Sequence, residues 1–245
     1  EGTVIAADTG LPITATIQSN SAFQTATNGV GMYAMQIVSG TYELTAVSTN
    51  PNYGTATATV SVADNQTITQ DFQLYLSCEI FSDDVEGGTN GWIAQSPWAI
   101  STVNPHSPSH SWTDSSGTYG NNLDVSLTSP VIDLSDYSDV ELDFWQICST
   151  EAGYDYCILE ASADNGATWS GISQWDGYSN NWVEINLSAS VLDGASQAKV
   201  RFRLSTDGYV TGDGWHVDDL RISGSGVGCV APVQYRYLYL PFVVR

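Results

Sequence analysis

The chain has 245 residues, 42% of them hydrophobic and 11% aromatic, with 27 acidic against six basic side chains and a formal net charge of −21. This composition builds a packed core and excludes a disordered chain, and the length accommodates two domains. All six basic residues, from Lys199 to Arg245, lie in the last fifth of the sequence. That excludes nucleic acid, whose phosphates need cationic partners, and argues against an anionic membrane surface. No apolar run reaches the roughly 18–20 residues of a membrane span. The sequence starts at Glu1 with no Met and no basic, apolar leader, the pattern expected of a processed or excised product.

Residues 1–77 contain no Trp, Cys, Lys or Arg and repeat short alternating stretches. These are TATIQ at 14–18, GMYAMQIV at 31–38, TYELTAV at 41–47, TATATVSV at 55–62 and ITQDFQLYL at 68–76. Turn residues separate them at Asp8-Thr9-Gly10, Asn28-Gly29, Ser39-Gly40, Asn50-Pro51 and Asp64-Asn65. Short strands at this spacing, with no helical period, predict a small antiparallel sandwich. GTVIAADTGLPITATIQ followed by TNGVGMYAMQIVSGTYELTAVS resembles the carboxypeptidase regulatory-like (transthyretin-like) module. The resemblance implies a spacer domain without enzymatic activity, with Tyr33, Tyr42 and Leu44 in its core.

From Cys78 the composition changes: all eight Trp and all three His fall between 78 and 216. Strands are expected over 98–103, 126–134, 140–148, 156–162, 181–188, 198–205 and 214–223. Four cysteines allow three pairings. Cys148 closes one apolar run and Cys157 opens the next, which suits a clasp across a hairpin mouth, and Cys78 with Cys229 would then bracket the larger module. Two disulfides imply an oxidising compartment; four buried thiols are the alternative, and without a CxxC or a nearby His cluster a zinc site is disfavoured. Six motifs occur in order: FSDDVEGGTNGW, HSPSHSW, LTSPVIDLS, VELDFWQI, DYCILEASADNGATW and DGWHVDDLRI. Together they resemble the MAM-like jelly-roll module found C-terminal to secreted bacterial peptidases of the immune inhibitor A type.

Each chemical motif has a structural reading beside it. SADNGATW, Ser162 to Trp169, fits an Asp-box hairpin, a turn device rather than a sugar site. His106 and His110 are four apart, but Pro108 between them forbids the helix a zinc pair needs. No GxSxG elbow is present. Strand alternation puts Asp84 and Glu86 on one side and Asp83 on the other, and sends Asp218 and Asp219 to opposite faces. The jelly-roll resemblance implies a structural Ca²⁺ held by Glu86, Asp114 and Asp219, with Asp84 as a further ligand; hard oxygen donors suit that ion. Trp98, Trp175 and Trp182 are candidates for an exposed sugar-stacking platform, although a sandwich of this size needs most of its Trp in the core.

After residue 229 the sequence APVQYRYLYLPFVVR alternates Tyr235, Tyr237 and Tyr239 against Arg236, Leu238 and Leu240, followed by Phe242, the pattern of a strand. The expectation is therefore an all-β chain: a transthyretin/Ig-like sandwich at 1–77, a jelly-roll sandwich at 78–229 and a strand tail at 230–245. Its expected role is non-catalytic, extracellular, bacterial, and structural or adhesive. Head-to-tail assembly of copies through Tyr235, Tyr237, Leu238, Tyr239, Leu240 and Phe242 would give a homo-oligomer or filament. The alternative is an accessory region of a secreted peptidase that binds a glycan or protein; a hydrolase ranks third.

Overall fold

Alternation of apolar and polar residues over short runs dictates strands, and strands are what form. A computed structural model describes residues 1–230, with no α-helix among them and none long and apolar enough to cross a membrane. In the first part of the chain these are β1 (Gly2–Ala6), β2 (Ala15–Ser19), β3 (Gln24–Ala26), β4 (Met32–Tyr33), β5 (Gly40–Ser48), β6 (Thr55–Val62) and β7 (Phe72–Leu74). They form two sheets, β4-β1-β7 and β3-β2-β5-β6. Val4, Ile17, Tyr33, Tyr42, Leu44, Phe72 and Leu74 meet between them. The β1–β7 pairing is parallel, so this sandwich is not wholly antiparallel.

GMYAMQIV yields only the two-residue β4. Met35 and Ile37 still turn inward while Ala34, Gln36 and Val38 are exposed, the burial period of a strand. Yet Met35–Val38 make no backbone–backbone hydrogen bond among the described residues.

The larger part contains β8 (Ser77–Asp83), β9 (Ile93–Ala94), β10 (Ala99–Ser101), β11 (Ser111–Thr113), β12 (Asp124–Thr128), β13 (Tyr137–Ser149), β14 (Tyr156–Ser162), β15 (Ser170–Trp175), β16 (Val183–Ser188), β17 (Lys199–Ser205) and β18 (Gly214–Gly226). One sheet runs β10-β11-β18-β13-β16, with β8 also on β18; the other runs β15-β14-β17-β12-β9. Their facing sides share one apolar core that includes Trp92, Trp112, Leu127, Phe144, Leu159, Phe202, Trp215 and Ile222. Trp98 belongs to it as well, only 4% exposed and 6.1 Å from Trp215 between ring centroids. Trp175 packs on Phe144 and Trp215. The three-Trp exposed platform therefore does not form, because this core absorbs two of its members.

Two disulfides fasten this part: Cys78–Cys229 across a sequence separation of 151, and Cys148–Cys157 across a separation of nine. The two cores meet at a polar joint. Asp139 sits at a bulge of β13 with φ 51°. Its carboxylate accepts the Thr55 N–H at 2.8 Å, the Thr55 hydroxyl at 2.6 Å and the Ser225 hydroxyl at 2.7 Å. Gly54 permits the approach: a Cβ there would lie 2.2 Å from Ser225 Oγ.

Candidate functional site

The sheet β10-β11-β18-β13-β16 turns Trp112, Phe144, Cys148, Trp215 and Val217 into the core. The alternate residues Thr113, Ile147, Ser149, His216 and Asp218 face the other way, yet each is buried as well. An aromatic and polar layer lies over them. His106 stacks on Trp145 with centroids 4.0 Å apart and planes at 14°, and Trp182 meets His106 and His216 edge-on at 5.6 and 6.2 Å. Ser111 Oγ, Ser149 Oγ, Trp182 Nε1 and His216 Nδ1 are buried there without a hydrogen-bond partner among the described residues, while His216 Nε2 pairs with Asp213 at 3.1 Å.

Two features of the backbone set the acidic groups, and both depart from simple alternation. Opposite the single residue between Asp143 and Trp145, β18 carries two, and Asp219 takes φ 51°. This bulge breaks the period of two. Asp218 and Asp219 consequently reach the same loop rather than opposite faces: Asp218 Oδ2 accepts the His106 and Ser107 N–H groups at 3.0 and 3.1 Å, and Asp219 Oδ2 lies 2.6 Å from His106 Nδ1. In the same way, β8 ends at Asp83, and Val85 has φ 63°, so no strand carries Asp84 and Glu86 on one side. Asp83 is buried and accepts Trp92 Nε1 at 2.6 Å and Asn90 Nδ2 at 3.0 Å.

Glu86 accepts Ser109 N and His110 N at 2.9 and 2.7 Å and the Ser109 hydroxyl at 2.5 Å, and pairs with His110 Nδ1 at 2.9 Å. The Ser109 hydroxyl foremost, then His110, hold its carboxyl down to about 2. Among the described residues Asp84 receives only the Glu86 N–H, at 3.1 Å. Asp114 is wholly buried after β11; Oδ1 accepts the Trp215 N–H and Oδ2 has no partner among the described residues. Burial pushes its carboxyl up to about 7, and burial likewise lifts Asp218 to about 6.

Among the described residues, the groups of three whose ligand atoms lie within 4.8 Å of one another are His106–Asp218–Asp219 and Glu151–Asp155–Asp207. Of Asp84, Glu86, Asp114 and Asp219, the first group takes Asp219 alone, and Glu86 grips the next turn of the same 106–110 loop. In the second group Asp155 is fully buried and accepts Tyr119 Oη and Asp207 N, both at 2.6 Å. Burial, then Asp207 and Asp155, raise the Glu151 carboxyl. Sequence reasoning passed over this group, since its members sit in turns up to 56 positions apart and carry no motif.

The serine and histidine wiring bears on catalysis. Ser107 and Ser109 donate their hydroxyls to Asp219 and Glu86. Each neighbouring histidine meets the same carboxylate through Nδ1. A nucleophilic serine needs the imidazole between hydroxyl and acid, one ring nitrogen on each. Here hydroxyl and imidazole converge on the acid, and although Ser109 Oγ lies 2.9 Å from His110 Nδ1, that same nitrogen is the one on Glu86, so the ring bridges nothing. At the Asp-box, Asp164 accepts the Ser162 and Thr168 hydroxyls at 2.7 and 2.6 Å, and Gly166 has φ 87°, so its polar groups are spent inside the turn. Residues Tyr235, Tyr237, Leu238, Tyr239, Leu240 and Phe242 lie outside the described residues.

No family model matches this chain. Bacillopeptidase F of Bacillus subtilis (strain 168) is 22% identical over 157 residues, covering 60% of this chain and 11% of that protein; the chain thus spans about a tenth of the relative's length. Among solved structures, a xylan-binding domain of carbohydrate-binding module family 22 gives a TM-score of 0.42 at 14% identity, covering 62% of this chain and 97% of that one. TmCBM61 in complex with β-1,4-galactotriose gives 0.41 at 14%, covering 57% and 92%. The K3 cleaved adhesin domain of Lys-gingipain from Porphyromonas gingivalis w83 gives 0.42 at 14%, covering 59% and 98%.

Proposed function

We propose that this chain is a non-catalytic extracellular binding protein, structural or adhesive in role, whose copies associate head to tail through residues 231–245. The serine and histidine wiring carries the non-catalytic part: in both clusters the hydroxyl donates to a carboxylate, and the imidazole meets that same carboxylate through Nδ1 instead of bridging hydroxyl to acid. The two disulfides support an oxidising, extracellular setting. Association is tested by size-exclusion chromatography of the full chain beside a variant lacking 231–245. The full chain should elute as multimers and the shortened one as a monomer; a monomeric full chain overturns the assembly reading. Turnover of peptide or glycan substrates by the purified chain would overturn the non-catalytic reading.

A second reading makes the chain an accessory region of a peptidase, with a glycan or protein held by the His106–Trp145–Trp182 layer. The similarity to a stretch of Bacillopeptidase F favours it, and the half-buried rings of His106, Trp145 and Trp182 offer aromatic surface of the kind that packs on a sugar. Under either reading we propose a structural Ca²⁺. Glu86 and Asp219 clamp the 106–110 loop, but N–H and O–H donors already satisfy both, and His106 and His110 offer nitrogen. The Glu151–Asp155–Asp207 group fits the ion better: Asp155 also accepts two donors, but the group is all-oxygen and Glu151 Oε2 is buried without a partner among the described residues. Chelation should lower the melting temperature by several degrees. Loss of that shift in Glu151→Gln places the ion at the second group, loss in Asp219→Asn places it at the loop, and an unchanged melt removes calcium from the proposal.

A further inference from the structure

Beside the segment Met35–Val38, whose backbone takes only the Tyr42 hydroxyl on Val38 O at 3.1 Å among the described residues, lies a concavity of about 1130 Å³ lined by Tyr33, Met35, Ile37, Leu44, Val60 and Ile68 among others. The buried side chains in its lining, Tyr33, Leu44 and Val60, are apolar, while exposed polar residues such as Gln36, Asn65 and Gln66 and the acids Glu1 and Asp64 complete it. One wall therefore offers a run of peptide groups with the side-chain alternation of a strand and no ladder partner among the described residues. An edge of this kind accepts an added strand: main-chain hydrogen bonds supply affinity, and alternate side chains fill the groove.

We infer that this groove receives the 231–245 segment of a second copy, which pairs with Met35–Val38 and buries one of its two side-chain rows. The inference rests on the head-to-tail reading and supplies the acceptor that reading lacks. Three observations choose the occupant. The segment alternates Tyr235, Tyr237 and Tyr239 against Leu238 and Leu240, matching an acceptor of period two. Its charges are complementary: it carries Arg236 and Arg245 and no acid, whereas residues 1–77 carry five acids and no base.

Reach favours a neighbour over the chain itself. Cys229 is tied to Cys78 beside the joint, where Ser77 N–H meets Asn52 O and Thr55 meets Asp139. The groove lies at the far end of β6, at Val60 and Val62. Eight strand residues cover about 23 Å, so a chain folding back on itself would spend about seven residues on the crossing. Tyr235 and Tyr237 would be consumed on the way. A second copy brings the whole alternating run.

The test is a cross-link between two proteins. All four native cysteines are paired, so an added thiol is the free one. Val38→Cys, at an exposed rim position, is mixed with Gln234→Cys, Arg236→Cys or Leu238→Cys in turn under mild oxidation. Ser170→Cys, exposed on β15, replaces Val38→Cys as the control acceptor. A mixed disulfide dimer at least about tenfold above the control, equivalent to about 1.4 kcal/mol of preference, is the expected result for one register. Closure within a single chain carrying both cysteines, without mixed dimer, overturns the inference in favour of folding back. Yields equal to the control overturn the groove as acceptor; if multimers still vanish on deleting 231–245, assembly stands and only its acceptor falls.

Discussion

Removing the Cys78–Cys229 disulfide by the double substitution Cys78→Ala/Cys229→Ala is expected to cost about 4–5 kcal/mol. Removing Cys148–Cys157 the same way is expected to cost about 2–3 kcal/mol. The reason lies in the unfolded chain: a cross-link restricts it by an amount that grows with the logarithm of the closed loop, here 151 against nine residues of separation. The longer bond also ties the start of β8 to the segment after β18, two strands that already pair from Leu220↔Asp83 to Ser225↔Ser77. It therefore holds together an edge that would otherwise fray next to the joint. For a chain of this size the larger loss corresponds to about 10–15 °C in melting temperature. Calorimetry on the two double variants decides the matter; an equal or reversed order would show that strain or residual denatured structure, rather than loop entropy, governs both bonds.

The second large effect is a dependence on pH centred on Asp114. The unfolded carboxyl titrates near 3.8, whereas burial raises the folded one to about 7, with Asp213 adding to the rise. Below the unfolded value both states are protonated, and the group's full contribution to stability is present. Between about 4 and 7 the unfolded chain ionises while the folded one does not, so stability falls by about 1.4 kcal/mol per pH unit. The total approaches about 4 kcal/mol by pH 7 and then levels off. Asp218, raised to about 6, falls in the same direction over a narrower window. Asp114→Asn keeps an oxygen for the Trp215 N–H and removes the titration. Urea midpoints of that variant should therefore vary less between pH 4 and 8 and lie above the wild type at pH 8. Parallel curves would mean that Asp114 is ionised in the folded protein, as it would be beside a bound cation.

Particular elements show what was legible. YCILEAS at 156–162 reads as a strand and is β14 to the residue, because it is a short, largely apolar run bounded by turn residues. The all-β class follows from many such runs. Other strands escape a reading by pattern: Ser111–Thr113 is three residues beside prolines, and it exists because β18 and β10 flank it. GMYAMQIV has the pattern, and its burial follows the period, yet beyond Tyr33 no described strand lies alongside.

The acidic sites divide along the same line. Alternation is a local property, so it assigned Asp218 and Asp219 to opposite faces and placed Glu86 on a strand. The bulge at Asp219 and the left-handed turn at Val85 arise from pairing with distant strands and overrule it. Of the three Trp considered for an exposed platform, Trp98 and Trp175 are in or against the core and Trp182 is on the outer layer, a partition set by which neighbours close over each ring.

By itself the sequence determined the strand content, the surplus of acid over base, the absence of cationic side chains before Lys199 and the alternation of the final residues, since each depends only on residue type and near neighbours. Which carboxylates meet, which rings are covered, how Asp139 joins the two cores and where a strand-like segment lies without a partner were decided by tertiary structure, because each depends on segments brought together from as far apart as Thr55 and Ser225.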